Sequence, residues 1–538
     1  MESAGLRHRS RETPKKQPGA TSTATTVEIS EVKSPSTGST STTAFQTPPP
    51  ARDHGHDPFP PITLRAPSHS RDEDAVQPPR FTIDLSEAPE RRYRHVADHM
   101  REAVVVSDLA DLFDSLVRDV APGPLAPALH ALARRVLRHL HCAEETAELR
   151  GIAAASGIAL HLLVAFNVLL DLLLGCSSGG MRVVCPGPGG AGAPPSSRIL
   201  HFRTLDWGME ELRALTVELD FVRRPGGPVV ATTVTYFGYV GVLTGVRRGL
   251  SMSLNFRPHH DRSTWRRRVG FRWHQAMVVL GFRQSVSSVL RALLLTPDPE
   301  LDGDSIPANA EIAVRRRKWW ARKPNITRAA HSSQSRAKPR VTSPIIPYIK
   351  NHLPATRSTA AYLIFCTPDE ARTLEKDNGH GQFHSSRRFH ATYNHDKADE
   401  ADPRRLAQAA HGAAEEAAGM GTIVEMSISR AGGMDRHFRR ASRRLKAKSK
   451  PGSASRRSTG SSADHAHGDC SCEVGPDDVL RLVLDPDICN EETHYAVVMD
   501  PGLGKVLWRR AFPLEFPAEV DGTDELPTGM RFPDNISL

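Results

Sequence analysis

The hydrophobic period changes from helical in the run up to residue 175 to two in the stretch that opens after residue 214, and this change constrains the fold more than any other feature. Leu129, Leu132, Val136, Leu137 and Leu140 recur at helical spacing, and a second apolar run extends from Thr146 to Gly175. Gly187 to Ser197 is a Pro/Gly/Ala stretch without core-forming side chains. Beyond it Leu215, Val217, Leu219 and Phe221 alternate with Thr216, Glu218 and Asp220. Val229 to Val234 then follows Arg223-Arg224-Pro225-Gly226-Gly227-Pro228, which reads as a hairpin with one wet face. Helix first and strand afterwards make an α+β chain.

Only part of the 538 residues joins that core, because apolar residues are 39% and the 41 prolines and 39 glycines are spread unevenly. Residues 1–79 are Ser/Thr/Pro-rich and are expected to be a disordered arm. Order begins with the alternating strand Arg80-Phe81-Thr82-Ile83-Asp84-Leu85, and a helix opens near Pro89. Three glycines among the large residues from Tyr236 to Gly245 imply closely packed backbone. Further strands are expected at Ser251–Asn255, Ala360–Cys366, 389–395 and Thr422–Ser429, and helices at Trp273–Leu295 and Pro403–Met420. Basic, disordered insertions are expected at about 297–344 and 430–474. Thr493–Met499 and Lys505–Arg510 close the chain as a hairpin around Asp500-Pro501-Gly502.

The seven cysteines are sparse and odd in number, so a free thiol is expected rather than a disulfide scaffold. The first residues lack an apolar core of signal-peptide length, and the chain as written is expected in the cytosol. Ile152 to Gly175 has membrane length, but His161, Asn167 and Asp171 favour a buried or interfacial helix. The net charge of +9 reads either as solvated basic insertions or as a patch for anionic lipid or nucleic acid. His465, His467, Cys470 and Cys472 are metal-ligand types, but their short irregular spacing is not that of a zinc site, and no metal or cofactor is expected.

Leu173-Leu174-Gly175-Cys176-Ser177-Ser178-Gly179-Gly180 reads as a helix end delivering one cysteine into a small-residue turn. Cys176 is then either a buried filler or a nucleophile whose neighbouring amides could stabilise an oxyanion. Several blocks together resemble the acid ceramidase and N-acylethanolamine acid amidase family, a choloylglycine-type branch of the N-terminal-nucleophile (Ntn) hydrolases. These are Phe81-Thr82-Ile83-Asp84-Leu85 with Pro89-Glu90-Arg91-Arg92-Tyr93, Glu148-Leu149-Arg150-Gly151-Ile152, Cys176-Ser177-Ser178, His201-Phe202-Arg203-Thr204-Leu205-Asp206-Trp207 and Phe237-Gly238-Tyr239-Val240-Gly241. Tyr393 intervenes between Thr392 and Asn394, which are usually adjacent in the family's Thr-Asn-x-Asp.

The resemblance implies a four-layer αββα sandwich with mainly antiparallel sheets. It also implies self-cleavage between Gly175 and Cys176, separating a helical segment (80–175) from the nucleophile-bearing segment (176–538) and leaving an α/β heterodimer made from one chain. By that likeness Cys176 is the nucleophile, Arg203 supports its thiolate, Asp206 holds the new α-amine, and Asn394 donates to the oxyanion. Arg405, in preference to Arg404, is the second arginine, and Tyr239, Asn255 and Asp396 shape the pocket. The implied reaction releases a fatty acid from ceramide or a related N-acylated lipid through a thioester, with peripheral membrane contact and no specific nucleic acid. N-acylethanolamines, penicillin V, conjugated bile acids or acyl transfer are alternatives within the branch. A catalytically silent lipid- or nucleic-acid-binding protein is the alternative of another class.

Overall fold

The structure is a computed structural model that describes residues 61–64, 76–120, 126–169, 175–185, 196–297, 345–416, 420–448 and 474–512. Most of the expected N-terminal arm, nearly all of the insertion expected at 297–344, and the His465–Cys472 motif lie outside the described residues. The N-terminal helices are α1 (Arg94–His99), α2 (Arg101–Ser107), α3 (Leu109–Val120), α4 (Ala126–Val136), α5 (Ala143–Ser156) and α6 (Leu160–Leu169), preceded by strand β1 (Arg80–Asp84). Strands β2 (Gly175–Cys185), β3 (Ser196–Asp206), β4 (Thr216–Val222), β5 (Val229–Tyr236), β6 (Thr244–Arg247) and β7 (Leu250–Phe256) follow. Next come α7 (Trp265–Val279), α8 (Val286–Leu295) and α9 (Ile345–Asn351), then β8 (Ala361–Cys366), β9 (Ala371–Asp377), β10 (His380–Ser386) and β11 (Phe389–Thr392). Helices α10 (Pro403–Glu416), α11 (Met420–Lys448) and α12 (Pro476–Val483) precede the final hairpin of β12 (Thr493–Asp500) and β13 (Lys505–Ala511).

Two sheets stack face to face: an eight-stranded one in the order β1-β4-β5-β6-β7-β8-β9-β10 and a five-stranded one in the order β11-β2-β3-β12-β13. Every ladder between these strands is antiparallel except β1 on β4. Strand β7 shows how the period of two sorts the layers. Ser251, Ser253 and Asn255 point at the five-stranded sheet, where the two serines bond His201 of β3 at 2.9 and 3.0 Å. Leu250, Met252 and Leu254 belong to the apolar core shared with Leu290 and Leu294 of α8. On the far side of the five-stranded sheet, Met181, Val183, Leu200, Phe202 and Val498 pack with Val479, Leu480, Leu482 and Val483 of α12 and Met434 of α11. The result is the αββα sandwich that the resemblance implies.

Several local expectations are corrected. Residues 175–180 are the start of β2 rather than a turn. Their small side chains serve the ladder, since a methyl group on Gly179 would sit 2.1 Å from the carbonyl of His390, and one on Gly180 would sit 2.5 Å from Ala371 of the facing sheet. The β4–β5 hairpin has no wet face along β4, which is buried throughout. Its acidic residues are matched instead: Asp220 with Arg80 at 2.6 Å and with Thr232, and Glu218 with Arg80 and Arg509. The apolar run from Ile152 breaks at Gly157, which closes α5 in the left-handed region at φ 79°. Among the described residues no helix is long and apolar enough to cross a membrane. The helix expected at Trp273–Leu295 is two, α7 and α8, with Gly281 at φ 72° between them.

The largest correction lies at 420–448. The strand expected at Thr422–Ser429 and the insertion expected from residue 430 are, as far as Lys448, one helix, α11. Val424, Ser427, Arg430 and Met434 are among its buried positions, at spacings of three and four, so the period there is helical and not two. Asn378-Gly379 turns β9 into β10, a hairpin with no counterpart in the sequence reading; Asn378 takes φ 47°.

Candidate active site

Cys176 is the second residue of β2 and is fully buried. Register places Gly175 opposite Asp206, and Ser178 opposite Arg203 on the adjacent β3. With a period of two, Cys176, Ser178 and Arg203 then share one face. Arg203 reaches along it, and its Nη2 donates to Cys176 Sγ at 3.2 Å. Its Nη1 is held by Leu254 O at 2.8 Å and Asn255 Oδ1 at 3.1 Å, which fixes the guanidinium from the facing sheet. Asn255 in turn donates to the carbonyl of Cys176 at 3.3 Å.

Asn394 lies two residues past the end of β11, and its Oδ1 accepts the backbone N–H of Cys176 at 2.9 Å. Asp206 is bonded by Thr493 of β12 at 2.7 Å and paired with Arg430 of α11. Arg430 also donates to Asn394 Oδ1 at 3.1 Å. One buried arginine therefore joins the carboxylate at the end of β3 to the amide beside Cys176.

Burial dominates the electrostatics. It pushes the Cys176 thiol up, and Asp206 adds to the rise, while the positive charges of Arg203 and Arg430 pull it part of the way back. Burial also raises the Asp206 carboxyl, against the opposing pull of Arg430, Thr493 and Arg203. For Arg203 burial works against the charge, but Cys176 and the hydroxyls of Tyr495 and Tyr236 outweigh it and its pKa is raised. Burial thus opposes the thiolate in a site that already holds compensating cations.

Residues 76–141, which lie N-terminal to Cys176, match the family model described as the beta subunit of N-acylethanolamine-hydrolyzing acid amidase. The N-acylethanolamine-hydrolyzing acid amidase of Caenorhabditis elegans is 31% identical over 195 residues, covering 34% of this chain and 48% of that protein. The acid ceramidase of Rattus norvegicus is 30% identical over 195 residues, covering 33% of this chain and 45% of that protein. Over about a third of its length the chain is thus similar to acid ceramidases and N-acylethanolamine-hydrolyzing acid amidases. It spans a little under half the length of these two curated relatives. A solved structure of the Caenorhabditis elegans N-acylethanolamine-hydrolyzing acid amidase ortholog aligns with 63% of this chain and 100% of that chain, at 16% identity and a TM-score of 0.33.

Of the residues expected at the site, Cys176, Arg203, Asp206 and Asn394 are brought together and Arg405 is not. Arg405 is 55% exposed and pairs with Asp399 at 3.2 Å, and Arg404 is exposed beside it. The second arginine at the site is Arg430. Asn255 touches Cys176, whereas Asp396 is committed to Arg257 and to Tyr362 at 2.7 Å, and Tyr239 is a core residue packed edge-on to Phe166. Asn394 also departs from the role expected of it. Its Nδ2 donates to Phe256 O at 2.8 Å, so toward Cys176 it is an acceptor; Asn255 is the side-chain amide that donates to the Cys176 carbonyl. Arg430, Thr493 and Ser427, which accepts the Asn394 N–H at 2.8 Å, were missed. Ser427 and Arg430 are one helical turn apart, and that spacing is the only trace they leave in the sequence.

Proposed function

We propose that this chain is an N-acyl amide hydrolase that cuts itself between Gly175 and Cys176 and then uses Cys176 as both nucleophile and base. The observation that carries the reading is the convergence of Arg203 and Asp206 from β3, Asn255 from β7, Asn394 from the segment after β11 and Arg430 from α11 around one buried cysteine at the start of a strand. Attack of Sγ on the Gly175 carbonyl gives a thioester that water opens, freeing the α-amine of Cys176. An α-amine titrates at about 7.7 to 8.0 when unperturbed, which suits proton exchange with its own thiol near neutrality. Asp206, across the ladder from Gly175, is the carboxylate available to hold that ammonium, and Arg203 is the fixed charge beside the thiolate. In turnover the thiolate adds to the substrate amide carbonyl and the α-ammonium gives its proton to the leaving amine. Water then resolves the thioester to a free fatty acid. The mature protein in this reading is two pieces parted at that bond, one carrying the helical segment 80–175 and the other the segment 176–538.

The substrate proposed is ceramide or a closely related N-acylated lipid, since relatives bear the name acid ceramidase. N-acylethanolamine is the second reading, favoured by the description of the matching family model. Lipid contact falls to α7 rather than to the apolar run after Ile152, because Leu163, Val164, Ala165 and Phe166 of α6 are buried. Helix α7 exposes Trp265, Val269 and Trp273 on one stripe, beside the exposed Arg266, Arg268 and Arg272. A cleft of about 580 Å³ between α10 and α11, lined by Leu406, Ala407, Ala410, Ala414 and Ile428 together with the polar His411, Thr422 and Glu425, is the proposed acyl trough.

Intact mass of the purified full chain tests the reading, with a fragment beginning at Cys176 expected in wild type and absent in Cys176→Ala. Matched N-acylsphingosine and N-acylethanolamine substrates of one acyl length then decide the amine. Full-rate hydrolysis by uncut protein would refute the α-amine mechanism.

A further inference from the structure

Ser427 and His395 are polar, enclosed, and outside the set of groups that touch Cys176. Both sit behind Asn394. Ser427 Oγ accepts the backbone N–H of Asn394 at 2.8 Å and lies 2.6 Å from His395 Nδ1. On α11 Ser427 precedes Arg430 by three residues, so the two side chains leave the same face of the helix. Arg430 donates to the Oδ1 that also accepts the N–H of Cys176. Asn394 is therefore tied to α11 twice, once through its main chain and once through its side chain. His395 completes the arrangement, with its ring stacked on Tyr393 at 5.6 Å and its Nε2 3.6 Å from Glu400 Oε1. Burying a hydroxyl and an imidazole costs free energy unless each is hydrogen-bonded. Here their hydrogen bonds lead to a single turn of α11.

We infer that His395 and Ser427 are positioning residues that hold α11 against residue 394, and so set where Arg430 meets Asp206 and where Asn394 meets Cys176. The inference rests on the proposed cysteine chemistry. It follows from how the arginine is delivered: Arg430 lies within a helix of 29 residues, so a small slide of that helix displaces the guanidinium as a rigid body. A shift of about 1 Å in a reacting constellation can cost on the order of 100-fold in rate. The serine–histidine pair opposes that slide at the turn that matters.

The imidazole makes its bond through Nδ1, which an asparagine amide can replace in space and a glutamine amide cannot. In the full-length protein, Ser427→Ala and His395→Gln are expected to slow both scission before Cys176 and kcat on an N-acyl amide by roughly 10- to 100-fold, with little change in KM or melting temperature. His395→Asn is expected to recover most of the loss. Unchanged kcat in Ser427→Ala, equal losses in the Asn and Gln variants, or losses that track melting temperature would overturn the assignment. If wild type neither cuts itself nor turns over any N-acyl amide, the cysteine chemistry fails, and amide-hydrogen exchange at Asn394 judges the positioning alone. Exchange faster by about tenfold or more in Ser427→Ala supports it, and an unchanged rate overturns it.

Discussion

Asp206 and Arg430 are both buried, and removing either leaves the other charged in a low-dielectric interior. Arg430→Ala is therefore expected to destabilise the fold by about 3–5 kcal/mol and to abolish scission before Cys176. Arg405→Ala, at a solvated pair, is expected to change stability by less than about 0.5 kcal/mol and to leave scission intact. Urea unfolding and intact mass on the two variants check both. The contrast also marks what could be read from single residues. Cys176, Arg203 and Asp206 stand in motifs on neighbouring strands, where spacing along the chain translates directly into register. Arg430 is one arginine in a basic run and is joined to its partners across 224 residues in one case and 36 in the other. Nothing local distinguishes it from Arg436 or Arg439 until burial is known.

Helix α11 escaped recognition because two signals compete in it. Ile423, Glu425 and Ile428 mimic fragments of a strand, and the Arg/Lys-rich remainder lowers the apparent hydrophobicity of the whole. The deciding pattern is the buried stripe of Val424, Ser427, Arg430 and Met434, half of which is polar because it faces the site and not the core. Helix α7 shows the reverse case. Its apolar residues Trp265, Val269 and Trp273 are 64%, 56% and 57% exposed, whereas Phe271, His274 and Val278 face inward. Fully burying a large apolar side chain is worth about 1.5–3 kcal/mol, so removing both tryptophans from a lipid interface should weaken binding by roughly 100-fold or more. Co-sedimentation of Trp265→Ala/Trp273→Ala with phosphatidylserine vesicles checks this, and the arginines beside them predict weaker binding to neutral vesicles and at high salt.

At the scale of the whole molecule, the interface between the sheets is where acid acts. Burial, with the charge of Arg203 adding to it, lowers the His201 pKa to about 3, and burial together with Arg213 lowers His494 to about 3. An unfolded histidine titrates near about 6.5, so between those values the unfolded chain binds the extra protons. Stability from these two groups is full above about pH 6.5 and is lost as pH falls toward about 3. Glu145 works the other way, since burial raises it to about 7 and the folded state takes up its proton first. The melting temperature of His201→Asn is therefore expected to fall less steeply than that of wild type between pH 6.5 and 4.5, by differential scanning calorimetry. The α+β class was legible at this scale, because the change of hydrophobic period and the final hairpin depend on patterns many residues long, whereas the layering was implied only by the family resemblance. The dry face of β4 was not, since Glu218 and Asp220 look solvated until Arg80 and Arg509 arrive from other strands.

The helical segment grips the rest of the molecule at several places, two of which involve residues far along the chain from the bond before Cys176. Strand β1 lies in the eight-stranded sheet against β4, and Glu148 of α5 bonds Arg92 at 2.8 Å and Arg291 of α8 at 2.7 Å in a buried ion triad. Neither attachment passes through residue 175. Two separately encoded polypeptides, one ending at Gly175 and one starting at Cys176, ought on that account to find each other and reconstitute the folded particle without any peptide link.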